Sequence, residues 1–334
     1  MRWITVLTMA LAGMAGSCST NPTTGRNQLV FMSAESERSL GQQAAPQLTQ
    51  EFGGRVQNTE LNNYITEIGN RLKDQTESDG PRRVWEFTLL DSDVINAFAL
   101  PGEKVFISRG LADRLTNEAQ LAGVLGHEIG HVMARHGNER ISQGALINVL
   151  AQGASVAVGA AVKDPTLGQV LPAVATQGGQ VVVLKFSRDQ ETEADTLGMR
   201  YMTKAGYNPR GQLQVMEVLK AASGGSSGPE WMATHPLPQT RIDDIKKLLG
   251  KEYAYTQGAD SGFRFYEDRY EHRYLSIARR VPQKKQAEPG SPKKAAIERV
   301  DEQGRRRLLA EIVIEDPTTW CTLCRIGTHE TDGH

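Results

Sequence analysis

Apolar residues recur at helical spacing in some stretches of the chain and cluster in short runs in others. Over 61–72 they return every three or four positions, which predicts a helix with one buried face. A second run with this rhythm begins after Asn117, a good N-cap, and we expect Gly137 to end it. The stretches 84–90 and 104–108 are rich in β-branched and aromatic residues and predict strands. This pattern is typical of a predominantly helical α+β fold with a small β-sheet.

Four more helices are predicted from capping and helix-breaking residues. One follows the N-cap candidate Ser33, a second begins at Ser187, a third starts after Pro209, and the last ends near Gly250. Together with the first two helices and the strands, they define one predicted domain over 33–250.

The segment 96–102 lies between the two predicted strands and is either a loop or an edge strand. An edge strand leaves part of its backbone free, and an extended peptide can pair with it by strand addition. An ordinary hairpin connection is the alternative.

Two later stretches, 141–162 and 170–184, are long and apolar. Polar residues such as Asn148 and Gln152 dilute the first, so we interpret the pair as helices rich in small residues that pack on the domain or cover its site. A bilayer span and partial insertion into lipid remain alternatives.

The N-terminal residues 1–17 combine an early arginine, an apolar core and small residues, which predicts a secretory leader. The small residues stand directly before Cys18 and resemble a bacterial lipobox, so Cys18 is the predicted lipidation site. Ser19 after it resembles the sorting signal of outer-membrane lipoproteins, and 18–32 is turn-rich and predicts a tether. The alternative is a plain signal peptide with Cys18 as a spare thiol.

The C-terminal part changes composition. Residues 251–281 are rich in tyrosine and arginine and predict a small appended element, whereas 282–334 has the composition of a disordered tail. Four residues of this tail have the spacing of a zinc knuckle: Cys321, Cys324, His329 and His334. A disulfide between the two cysteines and a fraying polar tail are the alternatives.

The composition limits the functional classes. A chain of 334 residues with 39% hydrophobic content can bury a full core, and its formal charge of -1 argues against a nucleic-acid binder. Cys18 and the two tail cysteines are its 3 cysteines, so no disulfide framework organises the fold.

The central predicted helix contains the pattern H-E-x-x-H. His127 and His131 are four residues apart and therefore lie on one helix face, where two imidazoles can bind one zinc ion. Glu128 beside them can take a proton from water that the metal has acidified. The alternative is a surface helix that carries these three residues by chance.

An acidic segment opens the helix that begins at Ser187. Glu191 and Asp195 are four apart and share a face, while Glu193 points elsewhere. One of the two carboxylates can complete a His/His/Glu zinc site, and the other can hold a histidine in its metal-binding tautomer. The alternative is a surface that complements the helix dipole. His136, five residues beyond His131, should turn away from the metal, and we expect it to be solvated.

Four separated motifs carry a family resemblance: NAFALPG at 96–102, HEIGH at 127–131, SRDQETEAD at 187–195 and THPLPQTR at 234–241. With these motifs the stretch 18–250 resembles the gluzincin zinc metalloendopeptidases of the HtpX and CAAX-prenyl-protease group, and among them the BepA-like periplasmic lipoprotein branch. The resemblance implies a minigluzincin-type domain. The helical-repeat domain of that branch is not found in this sequence, so partner roles of those repeats are not transferred.

The resemblance also implies roles for individual residues. His127, His131 and Glu191 would bind zinc, with Glu128 as general base. Asp195 would orient His127.

Further implied roles concern the substrate and the open position of the metal. Asn96 and Ala97 would align the substrate, and His235 can occupy the open position of the zinc and hold the enzyme idle. Apart from the resemblance, the chemistry of peptide hydrolysis needs a second donor for the developing oxyanion, and His235 or Arg241 could supply it.

We therefore expect a zinc metalloendopeptidase, anchored by lipid to the periplasmic face of the outer membrane, that cleaves misfolded or unassembled envelope proteins. Its expected partners are polypeptide substrates, the membrane and outer-membrane assembly machinery, with no nucleic acid. The alternative is a non-proteolytic assembly factor or chaperone whose zinc site is shut.

Overall fold

We describe the fold from a computed structural model of the chain. It describes residues 18–151, 176–177, 180–181, 185–223, 230–236, 239–258, 260–283, 294–300 and 306–313. The chain divides into two compact units, the first up to Lys284 and the second from Lys285 onward, and each is described by itself.

The helices of the first unit include the six that spacing and capping predicted, in the predicted order, together with further short helices. They are α1 (Ala34–Glu51), α2 (Thr59–Lys73), α3 (Arg109–Ala112), α4 (Glu118–Met133), α5 (His136–Ala151), α6 (Arg188–Lys204), α7 (Arg210–Ala222), α8 (Glu230–Thr234), α9 (Gln239–Gly250), α10 (Glu267–Tyr270) and α11 (Ser276–Ala278). The predicted N-caps Ser33, Asn117 and Ser187 are confirmed, because each side chain accepts a hydrogen bond from the backbone N–H three residues later.

Two short strands, β1 (Cys18–Thr20) and β2 (Asn27–Leu29), pair near the N-terminus. The main sheet has three strands, β3 (Glu86–Leu90), β4 (Ala97–Leu100) and β5 (Lys104–Ser108), in the order β3-β5-β4. β3 runs parallel to β5, and β4 runs antiparallel to it with Ala97 opposite Ile107. Segment 96–102 thus forms an edge strand, as one of the two interpretations predicted.

The core forms where α2 and α4 pack against this sheet. The predicted stripe of α2 is buried, with Leu61, Ile65 and Ile68 each 0% exposed. Helix α4 is buried on almost all sides, which is why its apolar residues do not form a single narrow stripe.

Helices α4 and α6 approach each other closely through glycines. A Cβ added to Gly198 would lie 2.8 Å from the backbone nitrogen of His127, and one added to Gly130 would lie 2.9 Å from the carbonyl oxygen of Ala194. The two backbones can therefore approach only because these positions lack side chains. This contact brings the acidic face of α6 to the histidine face of α4.

The end of α4 differs from the prediction. The helix ends at Met133, not at Gly137, because Arg135 adopts a left-handed conformation with φ of 55°. His136 then begins α5 in a new direction. Helical extrapolation past Met133 is consequently invalid, which affects the expectation for His136.

The predicted tether 18–32 is instead packed against the end of α4. The side chain of Asn21 donates a hydrogen bond to the carbonyl of Met133 at 3.1 Å, and that of Gln28 donates to the carbonyl of Ala134 at 2.7 Å. These bonds satisfy carbonyls that a helix end leaves without partners. The turn-rich composition predicted the local turns but not this long-range capping.

Residues 251–281 were predicted to form an appended element, but their aromatic side chains enter the main core. Tyr270 and Tyr274 are each 0% exposed. Arg269 forms an ion pair with Glu118, the first residue of α4, which also accepts hydrogen bonds from Tyr64 at 2.8 Å and from Tyr207 at 2.7 Å. The C-terminal helices of the first unit therefore stabilise the start of α4.

The second unit contains two antiparallel strands, β8 (Lys294–Val300) and β9 (Arg306–Val313). The composition of 282–334 predicted a disordered tail, because its charged residues, prolines and glycines outweighed the two short runs of strand-forming residues. The zinc-knuckle candidates lie outside the described residues, as does the predicted leader.

The two apolar stretches after α4 are described only in part. Helix α5 covers the first of them as far as Ala151. Two antiparallel strands of two residues each, β6 (Thr176–Gln177) and β7 (Gln180–Val181), lie within the second. Within the described residues, no helix combines the length and apolarity that crossing a bilayer requires.

Candidate metal centre

Three elements bring four metal-binding side chains together. Helix α4 supplies His127 and His131, α6 supplies Glu191, and the residue after α8 supplies His235. All four side chains are buried, and their ligand atoms lie within 4.8 Å of one another. The structure thus places the three predicted zinc ligands in one cluster and adds the predicted gating histidine to it.

The distances within the cluster fit a tetrahedral ion. The Nε2 atoms of His127 and His131 are 3.0 Å apart, and the Nδ1 atom of His235 lies 3.3 Å from Nε2 of His127. Glu191 places Oε2 3.5 Å from Nε2 of His127 and Oε1 3.5 Å from Nε2 of His131. Metal–nitrogen bonds of about 2.0–2.1 Å in a tetrahedron give edges of about 3.3 Å. Three nitrogens and one oxygen at these separations can therefore hold one metal ion.

A second carboxylate lies behind His127. Oδ1 of Asp195 is 2.9 Å from Nδ1 of His127, and Asp195 also accepts a hydrogen bond from Gln212 at 2.9 Å. Since a carboxylate only accepts, this contact places a proton on Nδ1, and Nε2 is the nitrogen that the neutral ring can offer to a metal. This is the position that the resemblance implies for Asp195.

Arg241 is directed at the carboxylates and not at an open substrate position. Its Nε and one terminal nitrogen each donate to Asp195 at 2.8 Å, while the other terminal nitrogen donates to the carbonyl of Pro236 and lies 2.6 Å from Glu191. All of its donor nitrogens are thereby engaged. The geometry does not support the expectation that Arg241 is the oxyanion donor, because its donors are directed at Asp195, Glu191 and the carbonyl of Pro236. The sequence could not show that two carboxylates face this residue.

Glu128 is buried without a hydrogen-bond partner. Its side chain is 0% exposed, and neither carboxylate oxygen bonds to another described residue. Nε2 of His235 lies 3.7 Å from Oε1 of Glu128 and also has no hydrogen-bond partner among the described residues. A buried carboxylate in this state is costly unless a ligand or water joins it. This observation supports a site that takes up a metal ion, water and substrate.

The expectation that His136 is solvated is wrong. Its side chain is 0% exposed, with Nδ1 2.9 Å from Nδ1 of His131 and Nε2 2.9 Å from Oε2 of Glu193. The left-handed Arg135 ends α4 and turns the chain so that His136 folds back behind His131. The sequence offers one signal for this arrangement, the H-x-x-x-x-H spacing, but not the backbone conformation that decides it.

The protonation states follow from burial and neighbouring charges. Burial lowers the pKa of His127, but hydrogen bonds to Asp195 and Glu191 outweigh it and raise that pKa to about 9. Burial and the neighbouring His127 hold the pKa of His131 well below its usual value. Burial raises the pKa of Asp195, but the opposite effect of Arg241 and His127 is larger. The pKa of Asp195 is therefore below its usual value, and this carboxyl group stays ionised.

Aromatic rings enclose the imidazoles. Trp231 stacks on His235 with ring centroids 4.8 Å apart, and Phe186 stacks on His131 at 4.0 Å. The backbone N–H of Phe186 donates to the carbonyl of Thr234, which fixes the chain next to His235. The cluster is therefore shielded from water by apolar surface on two sides.

The predicted substrate residues lie at the edge of the sheet. Asn96 directly precedes β4, where its carbonyl accepts a hydrogen bond from the backbone N–H of Ser108 in β5 and its own N–H donates to the Ser108 hydroxyl. Ala97 is the first residue of β4. One pocket is lined both by Ala99 of β4 and by His131, which puts the edge strand beside the metal cluster. Cys18, the predicted lipidation site, begins β1.

Comparison with known proteins places this geometry in a family. Residues 59–249 match the model of peptidase family M48. The chain is 32% identical over 197 residues to a beta-barrel assembly-enhancing protease of Yersinia pestis, covering 56% of this chain and 38% of that protein. It is 30% identical over 243 residues to the protein of the same name from Escherichia coli K12, covering 70% and 47%.

A eukaryotic relative carries a related name. The chain is 33% identical over 169 residues to the mitochondrial metalloendopeptidase OMA1 of Arabidopsis thaliana, covering 50% of this chain and 31% of that protein. The chain thus spans less than half the length of each of these three relatives.

Proposed function

This chain belongs to peptidase family M48, and from that membership and the geometry of its site we propose that it is a zinc-dependent metalloendopeptidase. The observation that carries the proposal is the juxtaposition of four buried donors with the unpartnered carboxylate of Glu128. A site built only for structure would have no use for a buried carboxylate that accepts no hydrogen bond from the described residues.

Zinc is the ion that the donor set favours. Three imidazole nitrogens and one carboxylate oxygen at tetrahedral separations are typical of zinc, whereas calcium and magnesium prefer oxygen ligands in larger number. In the working enzyme His127, His131 and Glu191 would hold the ion, and water or substrate would bind beside them.

The chemistry divides between the ion and the chain. A bound zinc ion supplies a Lewis acid that polarises the scissile carbonyl and lowers the pKa of a water molecule. Glu128 accepts a proton from the attacking water and delivers it to the leaving amine. Asp195 keeps the His127 proton on Nδ1, and Arg241 keeps Asp195 and Glu191 in place.

The substrate binds as an extended peptide along β4. Asn96 pairs with Ser108 of β5, so the alternation of an antiparallel ladder directs the backbone groups of Ala97 and Ala99 to the free edge. A peptide added at this edge runs beside His131, because Ala99 and His131 line one pocket.

His235 gates the site. Its Nδ1 atom lies 2.9 Å from Glu191 and belongs to the same cluster, so without its proton it would be a fourth donor to the ion and would exclude water and substrate. The backbone N–H of Trp231 donates to the carbonyl of Ile95, the residue before Asn96. This bond links the segment that carries His235 to the edge strand β4.

The proposed substrates are misfolded or unassembled proteins of the bacterial envelope, and the proposed location is the periplasmic face of the outer membrane. The leader over 1–17, the lipobox before Cys18 and the names of two relatives support this part of the proposal. Partners in outer-membrane assembly belong to the same proposal.

The central test uses Glu128→Gln. We expect zinc content to stay at one ion per chain in both proteins, while cleavage of casein or an unfolded β-barrel precursor falls by about 10²–10⁴-fold in the variant, since only the general base is lost. Metal analysis and quantified cleavage measure the two quantities. Equal cleavage by both proteins contradicts the role of Glu128.

A second arm tests the gate and the alternative function. We expect His235→Ala to cleave faster than wild type with zinc retained, because the fourth position is open. No cleavage by either protein, combined with suppression of substrate aggregation, would instead support a non-proteolytic assembly factor with a shut site.

A further inference from the structure

A polar chain extends behind His131 away from the metal cluster. The Nδ1 atom of His131 lies 2.9 Å from Nδ1 of His136, and Nε2 of His136 lies 2.9 Å from Oε2 of Glu193. His131 and His136 are buried, and the side chain of Glu193 is 22% exposed. None of these contacts takes part in the proton transfers of the proposed mechanism.

The donors and acceptors in this chain can be assigned from its outer end. A carboxylate only accepts hydrogen bonds, so Nε2 of His136 must donate to Glu193. A neutral imidazole has a single N–H, so Nδ1 of His136 is an acceptor. The proton in the contact between the two histidines therefore belongs to His131, on Nδ1.

This assignment has a consequence at the metal. With its proton on Nδ1, the neutral ring of His131 presents the lone pair of Nε2 to the cluster, where it is 3.0 Å from Nε2 of His127. The other tautomer would place a proton where the ion must bind.

We propose that His136 is a positioning residue for the metal site, which fixes the tautomer and the ring orientation of His131 through its Nδ1 atom and is itself oriented by Glu193. Asp195 performs the same task for His127 with a carboxylate. The two histidine ligands of α4 thus have separate supports, one from α6 directly and one from α6 through the first residue of α5.

The backbone explains why an imidazole can take this position. Arg135, with φ of 55°, lies between the end of α4 and His136, so the ring turns back over the preceding helix. Arg26 lies 3.3 Å from Oε2 of Glu193 and holds the outer end of the chain from the N-terminal segment.

The test measures zinc affinity and so rests on the proposed function. Full-length wild type, His136→Leu, His136→Asn and Glu193→Ala are titrated with zinc against a chromophoric chelator at constant pH. We expect His136→Leu to raise the zinc Kd about 10–100-fold, as loss of a residue that orients a ligand does. Glu193→Ala should raise it by a smaller factor, because the proton of His136 is no longer fixed.

His136→Asn is the rescue variant. The side-chain oxygen of asparagine comes close to the position of Nδ1 and accepts a hydrogen bond, so we expect its zinc Kd to lie within about threefold of wild type. If the asparagine variant bound zinc as weakly as the leucine variant, only the shape of the ring would matter, and the proposal would be overturned.

Glu139→Ala is the matched control for Glu193→Ala. Glu139 also pairs with Arg26 but has no hydrogen bond to either histidine among the described contacts, so its removal leaves the contacts of His136 with His131 and Glu193 in place. We expect its zinc Kd to stay within about threefold of wild type. Thermal unfolding of the metal-free proteins checks folding, and if His136→Leu does not fold, Glu193→Ala carries the test.

The outcomes separate the two proposals. Wild type that binds no zinc overturns the proposed function and this inference together. Tight binding by wild type that is unchanged in both His136→Leu and Glu193→Ala overturns the positioning role and leaves the proposed function in place.

Discussion

Glu128 and Glu139 are both buried carboxylates, but their surroundings differ. Glu139 accepts two hydrogen bonds from Arg26, at 2.7 and 2.8 Å, and one from Gln190 at 2.8 Å. Glu128 accepts none from the described residues. A satisfied buried carboxylate stabilises the fold, whereas an unsatisfied one costs stability and is kept for chemistry.

The pairing of Glu139 predicts a pH dependence of stability. Burial raises its pKa, but the hydrogen bonds from Arg26 and Gln190 have a larger effect in the opposite direction, so the pKa in the folded state is below its ordinary value. The unfolded chain therefore binds a proton more readily, and the contribution of Glu139 is present above about pH 4.5 and lost as the pH falls through the lower folded-state pKa.

We expect Glu139→Gln to lower the free energy of unfolding at pH 7 by about 1–3 kcal/mol. The difference from wild type should shrink as the pH falls toward 3.5, because wild type loses the same interaction. Urea unfolding of both metal-free proteins at several pH values measures this. A difference that stays constant over this range contradicts the assignment.

Single residues were predictable where the helix is regular. His127, Glu128 and His131 could be placed relative to one another because α4 is continuous from Glu118 to Met133. His136 could not be placed, because its position depends on the φ angle of Arg135, a residue type with no strong preference for that conformation.

At the level of elements, the close contact of α4 with α6 determines whether the site forms. Both helices contribute metal-binding residues, and Gly198 allows their backbones to approach at His127. A Cβ at Gly198 would lie 2.8 Å from the His127 nitrogen and 2.9 Å from the Gly126 carbonyl carbon, both backbone atoms that no rotamer change can move.

We predict that Gly198→Ala destabilises the protein by roughly 1–3 kcal/mol and weakens zinc binding, because α6 must move away and carry Glu191 with it. Gly250→Ala at the end of α9 is the control, since a Cβ there meets nothing within 4 Å. Urea unfolding and zinc titration measure the two effects. Equal stability of the two variants would show that the helices have room to separate.

The elements themselves were largely predictable from local chemistry. Capping side chains such as Asn117 and Ser187 mark the helix starts, and β-branched residues mark β5. The packing of the N-terminal segment was not predictable, because the carbonyls that Asn21 and Gln28 satisfy lie more than 100 residues away.

At the level of the whole molecule, the first unit extends well beyond the last predicted domain helix. The buried carboxylate of Glu118 depends on Arg269, and Arg109 donates to the carbonyls of Ala278 and Val281. Sequence composition indicated an appendage, because the number of tyrosines and arginines in 251–281 does not show that Tyr270 and Tyr274 are buried in the core.

We predict that a chain ending at Gly250 fails to unfold cooperatively, because Glu118 keeps only the more distant cation of Arg71, 3.7 Å away, and the core loses the buried side chains of Tyr270 and Tyr274. A chain ending at Lys284 should keep the cooperative unfolding and zinc content of the full chain. Urea unfolding followed by circular dichroism distinguishes them. Cooperative unfolding of the shorter chain with unchanged stability contradicts the prediction.

The seating of the N-terminal strand pair also limits how such an enzyme would meet a membrane. Asn21 is fixed to the end of α4, and only Ser19 and Thr20 separate it from Cys18. At about 3.3 Å per residue, acyl chains on Cys18 would be attached roughly 10 Å from the carboxyl end of the catalytic helix. An enzyme anchored in this way would be held at a fixed distance from the lipid surface. It would cleave misfolded or unassembled proteins at that surface rather than those that diffuse far from it.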